Sequence, residues 1–162
     1  MNAFVKELED YLIAEQAKFY RLAYSYLYNE DEALDAVQNA ICQALEKHSS
    51  LRQKELFKSW FKRILLNSCL DIIRQKQRVK PAPAESLEIA GYEDPMPEDE
   101  LLANRINRLS LEEQTVIKLR FYEDLSLKEI SLITETNLST VKRRLYSALK
   151  KLRISLEGVT IE

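Results

Sequence analysis

All four prolines of this chain, at positions 81, 83, 95 and 97, fall within one segment running from Val79 to Glu100. Each removes a backbone donor and biases its predecessor away from helix. On both sides of the segment apolar residues recur at intervals of three and four, and β-branched alternation is absent. A chain built this way folds as helices and cannot carry one through its middle. The segment is also acidic: from Val79 to Asn104 seven acidic residues stand against Lys80 alone, a net of −6 (1 − 7). Acidic, proline-punctuated and poorly periodic, it reads as a flexible linker over 79–100. The expected architecture is all-α, two small helical domains (1–78 and 101–162) joined by that linker. Each is small for an autonomous core, so docking on a partner is expected of both.

Little in the chain supports enzymatic chemistry. His48 is the only histidine, too few for a zinc site of the usual His/Cys type. The two glycines, Gly91 and Gly158, cannot build a phosphate-cradling loop. Cys42 and Cys69 sit singly in helical patterns without metal-ligand spacing, and read as reduced, buried and inert. No cofactor, metal or small-molecule substrate is expected. No apolar run approaches the roughly 18 residues of a membrane span, and no signal sequence opens the chain, so a cytoplasmic protein is expected.

The first domain reads as about four helices. One region covers Ala3 to Tyr28, with a break near Ala14. A second helix runs from Asp31 to Lys47, with Ala33, Val37, Ala40, Ile41, Ala44 and Leu45 apolar. His48 to Lys54 reads as a polar turn. The last helix, Leu56 to Gln77, carries Trp60, Phe61, Ile64, Leu65, Cys69, Leu70 and Ile73. Of the twelve basic residues before the linker, eight follow Leu51.

In the second domain, Ser110-Leu-Glu-Glu and Ser126-Leu-Lys-Glu each read as a capping box opening a helix. Thr134 to Leu138 is a turn, and Ser139 is expected to cap the final helix. Along that helix Val141, Leu145, Leu149, Leu152 and Leu156 are expected to form a buried stripe. Lys142, Tyr146, Lys150 and Arg153 line another face, flanked by Arg143, Arg144 and Lys151. The second domain is thus expected to be a helix-turn-helix, its second helix apolar within and basic outside. A recognition helix that enters the major groove needs that arrangement. A solvated amphipathic helix ending a bundle would show it too.

Three stretches carry a more specific resemblance. The run LSLEEQTVIKLRFYEDLSLKEISLITETNLSTVKRRLYSALKKLR resembles the −35-reading domain of the extracytoplasmic-function sigma factors of bacterial RNA polymerase. FYRLAYSYLYNEDEALDAVQNAICQAL is similar to that family's polymerase-binding segment, with Asp35-Ala-Val-Gln38 in its D-x-V-Q place. FKSWFKRILLNSCLDIIRQKQR resembles the segment that follows, where W-x-x-R-I and an asparagine precede a basic tail. The order is the family's own. Departures fall in and just after the turn: Glu135 stands where a small residue, often glycine, is usual, Asn137 where proline is frequent, and Ser139 where a small residue usually precedes the threonine.

The resemblance implies a transcription initiation factor, not an enzyme, that binds core RNA polymerase and promoter DNA. It implies docking on polymerase through Asp35, Gln38, Asn39 and Gln43. It places promoter melting and −10 contacts on Lys62, Arg63, Asn67 and Arg74, with Lys76 and Arg78 meeting phosphates. The loop from His48 to Lys58 would capture a flipped base. Trp60 and Phe57 stand open between core packing and base stacking. Lys142, Arg143 and Tyr146 would read −35 base edges, with Ser139, Thr140 and Arg144 on phosphates. Lys151, two turns on, would reach only backbone. Leu119, Phe121, Tyr122 and Leu125 would combine core packing with a polymerase-flap surface. An anti-sigma factor, often membrane-anchored, is the remaining implied partner. Read without the resemblance, the residues also allow a stand-alone helix-turn-helix regulator, or an interaction module whose basic helix binds an acidic protein.

Overall fold

The structure, a computed structural model, describes residues 3–79 and 98–160, with side chains described over 3–78 and 102–153. The expected linker falls mostly outside these residues; its last three positions, 98–100, are already helical. The chain divides into two compact units, Met1–Ala82 and Pro83–Glu162. Among the described residues there is no strand, and no helix is long and apolar enough to cross a membrane.

The first unit packs α1 (Ala3–Ala14), α2 (Gln16–Leu27), α3 (Glu30–Lys47) and α4 (Phe57–Val79). The expected break falls at Glu15, whose N–H still reaches Tyr11 O at 3.0 Å. Tyr28 ends α2 in the left-handed region, φ 50°. Asn29 then turns extended and caps α3, its Oδ1 accepting from Glu32 N at 2.9 Å. Three acidic residues fill the first turn of α3, where the helix dipole favours them. The inward face of α3 is almost all alanine: Ala33, Ala36, Ala40 and Ala44 are wholly buried. Small side chains let α2 and α4 approach closely there. The gap beyond is filled by large residues of the neighbours, Phe19 and Phe61, whose rings lie 4.7 Å apart. Removing the fully buried Phe61 side chain would cost about 3–5 kcal/mol. Phe57 belongs to this core, edge-on to Phe4 and Tyr11, while Trp60 is only half-buried. Of the two cysteines expected inside, Cys69 is buried and Cys42, on the outer side of α3, is exposed.

The second unit holds α5 (Glu98–Asn107), α6 (Leu111–Ile117), α7 (Leu127–Thr134) and α8 (Leu138–Thr160). Both capping boxes form: Ser110 with Glu113, and Ser126 with Glu129. Past Ile117 the helix widens into a π-turn over Lys118–Tyr122, closed by Glu123 N to Lys118 O at 3.2 Å. Leu119 and Leu125 pack inward from this turn, whereas Phe121 and Tyr122 are exposed. Lys118 is buried, a result the sequence pattern does not suggest. Its Nζ donates to Gln114 Oε1 at 3.1 Å, and Gln114 Nε2 donates to Leu109 O at 3.0 Å.

The stripe of α8 needs one correction. Val141, Leu145 and Leu152 are buried as expected, but Leu149 is 39% exposed and Ala148 occupies the buried position. At about 100° per residue, position 148 lies about 20° from Val141 around the axis and position 149 about 80° away. The side chain of Leu156 lies outside the described residues.

Candidate nucleic-acid and polymerase interfaces

The turn before α8 is built from hydroxyls and one strained residue. Glu135 ends α7 at φ 55°, ψ 40°, a left-handed conformation that costs a non-glycine residue on the order of 1 kcal/mol. Its N–H and that of Thr136 both turn back to Ser131 O, and Ser131 Oγ donates to Thr136 O at 2.8 Å. The turn therefore exists without glycine. The cap is Asn137 and not Ser139: Asn137 Oδ1 accepts from Thr140 N at 2.9 Å, and Ser139 Oγ donates to the same oxygen at 2.9 Å. Both residue types cap well, and the first in sequence takes the role. Ser139 consequently lies within the first turn of α8, exposed, with its backbone N–H near the positive end of the helix.

From that start, positions 139, 142, 143, 146 and 150 share one face. Lys142, Arg143 and Tyr146 are exposed, Tyr146 by 65%, and none forms a hydrogen bond or ion pair among the described residues. Thr140 and Arg144 are half-buried and lie on the neighbouring row, toward α6. That row is anchored by Glu113, whose Oε2 accepts from Ser147 Oγ at 2.6 Å and from Lys151 Nζ at 3.0 Å. Oε1 accepts from the Ser110 N–H at 3.3 Å and from Lys151 at 3.1 Å. Burial pushes the Glu113 carboxyl upward, but hydrogen bonds from Ser147, Lys151 and Ser110 outweigh it and hold the pKa below its ordinary value. The ammonium of Lys151 is thus engaged inside the domain. One carboxylate caps α6 and fixes the rotation of α8, which leaves the Lys142–Tyr146 face turned outward. The sequence announces the cap; the link to Ser147, 34 residues away, has no local signal.

In the first unit, Trp60, Arg63, Asn67, Arg74 and Arg78 recur on one face of α4. Asn67, Arg74 and Arg78 are exposed, while Trp60, Lys62 and Arg63 are half-buried. Lys76 departs from the expected phosphate set: its Nζ pairs with Glu32 Oε1 at 3.0 Å and ties the end of α4 to α3. At this exposure the pair contributes about 0.2–1 kcal/mol. The loop before α4 makes two short 3-10 turns, His48–Ser50 and Lys54–Leu56.

On α3, Asp35, Gln38 and Asn39 are exposed and Gln43 is half-buried. Leu34 joins this face at 48% exposure, and Leu45, expected inside, is 39% exposed. Leu34 is out of phase with the alanine stripe. An apolar residue off the buried period is the signal for it in the sequence.

Residues 12–79 match the family described as Sigma-70 region 2, and residues 99–152 match Sigma-70, region 4. The chain is 44% identical over 140 residues to the RNA polymerase sigma factor SigV of Bacillus subtilis, covering 85% of this chain and 84% of that protein. It is 32% identical to the ECF RNA polymerase sigma factor SigW of the same organism, covering 88% and 84%. Among solved structures, the sigma factor RpoE in complex with the anti-sigma factor NepR from Bartonella quintana superposes with a TM-score of 0.72 at 21% identity, covering 94% of this chain and 98% of that one. CnrH in complex with the cytosolic domain of CnrY gives the same TM-score and identity, covering 94% and 89%.

Proposed function

The chain belongs to the extracytoplasmic-function sigma factors of bacterial RNA polymerase, and from that membership we propose how its two units divide the work. It is an alternative sigma factor, a non-enzymatic partner of core polymerase that directs initiation at particular promoters. In our reading, residues 1–78 dock on polymerase and open the −10 region, residues 79–100 form a linker, and residues 101–162 read the −35 element. Asp35, Gln38 and Asn39, with Gln43 at one margin, form the docking face on α3, and Leu34, one turn from Gln38, adds an apolar contact at the opposite edge. Arg63, Asn67 and Arg74 receive the opened strand, with half-buried Trp60 on the same face, while Lys62 lies off that face and meets the strand only from its flank. On α8, Lys142, Arg143 and Tyr146 meet base edges. Ser139, Thr140 and Arg144 meet the phosphates beside them.

The observation that carries this reading is the exposed face of α8. Its Lys142, Arg143 and Lys150 are unpaired among the described residues while the rest of the helix is fastened by Val141, Leu145, Ala148 and Glu113. We place the protein in the cytoplasm, beside polymerase and promoter. An anti-sigma factor restrains it, as the structures of RpoE with NepR and of CnrH with CnrY suggest. The test is run-off transcription with purified core polymerase on a promoter library. Initiation that depends on this protein and on promoter sequence is expected. Specific duplex binding by the free protein without transcription would favour a stand-alone regulator.

A further inference from the structure

Where α5 meets α8, a hollow of about 180 Å³ is lined by Arg105, Arg108, Leu109, Lys151 and Leu152. One wall is apolar, since Leu109 and Leu152 are buried. The other carries three cations. Lys151 is matched by Glu113 at 3.0 Å, so among the described residues three positive charges against one negative leave +2 (3 − 1) around the hollow. Neither Arg105 nor Arg108 forms an ion pair among the described residues. Arg108 N bonds Arg105 O at 3.1 Å in a tight turn, and both residues line the same hollow.

Arginines at the end of a helix often do no more than complement the dipole. That does not account for Arg105 Nη1, which is buried and has no hydrogen-bond partner among the described residues. A charged donor taken out of water without an acceptor bears its full desolvation cost, so such an atom in a cationic hollow asks for an anion. The space exceeds the roughly 30 Å³ share of one water several-fold. Guanidinium forks match the paired oxygens of phosphate and carboxylate alike. Charge separates the two: a phosphate monoester carries about −1.5 to −2 at neutral pH, close to the +2 here. A carboxylate or a DNA phosphodiester carries one charge, and a rigid duplex cannot bring its backbone against a buried nitrogen.

We propose that this hollow binds a small dianionic phosphate, inorganic phosphate or a phosphate monoester, through Arg105 and Arg108, with Lys151 closing the third side. Occupancy would fasten α5 to the recognition helix and make the second unit's stability follow phosphate concentration, because a ligand bound only by the folded form stabilises it.

The probe is inorganic phosphate, titrated into the full-length chain at constant ionic strength with chloride as compensating anion. Arginine side-chain NMR signals and the unfolding temperature of the second unit are followed. Saturable shifts at Arg105 and Arg108 are expected, with a rise in that temperature. Arg105→Gln should weaken binding at least tenfold, and Arg108→Gln, on an exposed residue that spares the core, should do likewise. Lys128→Gln on α7 should change nothing. A linear response shared by the parent and Arg108→Gln overturns the proposal as ionic screening. A second arm uses polymerase carrying the full chain on promoters with single methylphosphonate substitutions flanking the −35 element. Dependence on Arg105 and Arg108 seen there, without saturable phosphate binding, would assign both to the DNA backbone and also overturn it.

Discussion

Replacing Glu113 by Gln removes the charge at the junction of α6 and α8 while keeping the side chain's size. The bond from Ser147 at 2.6 Å is charge-assisted; such bonds contribute about 1.5–3 kcal/mol against about 0.5–1.5 kcal/mol for a neutral one. The loss there is about 1–1.5 kcal/mol. Lys151 has a side chain 58% exposed, so its pairing adds only about 0.5 kcal/mol after solvent screening. Glutamine has one oxygen and cannot accept from both Ser110 N and Ser147 Oγ. The total is about 2 kcal/mol, or about 8–16 °C in unfolding temperature for a domain of this size. Because the folded-state pKa of Glu113 lies below 4.5, its contribution is present in full above pH 4.5 and fades as pH falls through the folded value. The parent's second unit should therefore lose stability, as pH falls below about 4.5, more steeply than the Gln variant. Hydrogen exchange in peptides from α6 and α8 measures both effects. Trp60 is the chain's single tryptophan, so its fluorescence serves as an unchanged control from the first unit. Protection within about 0.5 kcal/mol of the parent at pH 7, or parallel acid slopes, would refute the role given to this carboxylate.

On the reading side, Arg143→Ala should cost about 1–3 kcal/mol at one −35 base pair and relax its specificity, scored by transcription over single-substitution promoters. Equal losses on every promoter would make Arg143 a phosphate contact. Lys151→Ala should instead lower the second unit's stability by about 0.5 kcal/mol, seen in thermal unfolding, and leave promoter preference intact. Asn67→Ala should preserve polymerase binding and reduce permanganate reactivity of −10 thymines. Glu135→Gly should stabilise the second unit by about 1 kcal/mol in urea titrations, since glycine tolerates φ 55° without a Cβ clash.

Features written within a few residues were legible in advance. Both Ser/Glu capping boxes, the break near Ala14 and the helix-turn-helix spacing follow from local backbone chemistry. The proline segment likewise marked where the chain divides. Two local readings failed: Asn137 and Ser139 are both good caps with no neighbour to decide between them, and Leu149 is apolar but out of phase with Val141 and Leu145, where Ala148 is in phase. What could not be read was long-range. Nothing beside Glu32 or Glu113 announces Lys76 or Lys151. The exposed cations of α8 were visible as composition, but which of them remain unpaired depends on those distant carboxylates.

The alanine face of α3 determines what mutagenesis of that helix can detect. Ala33, Ala36, Ala40 and Ala44 have no side chain left to truncate, so alanine scanning along α3 skips its packed side. Any polymerase-binding loss found at Leu34, Asp35, Gln38 or Asn39 then comes with little background from unfolding. The converse holds for larger substitutions. A single Ala40→Leu forces extra methylenes between tightly approached helices and should destabilise by about 1–3 kcal/mol or more. Random mutagenesis, in which most changes at alanine add bulk, would score these four positions as essential although none of them touches polymerase.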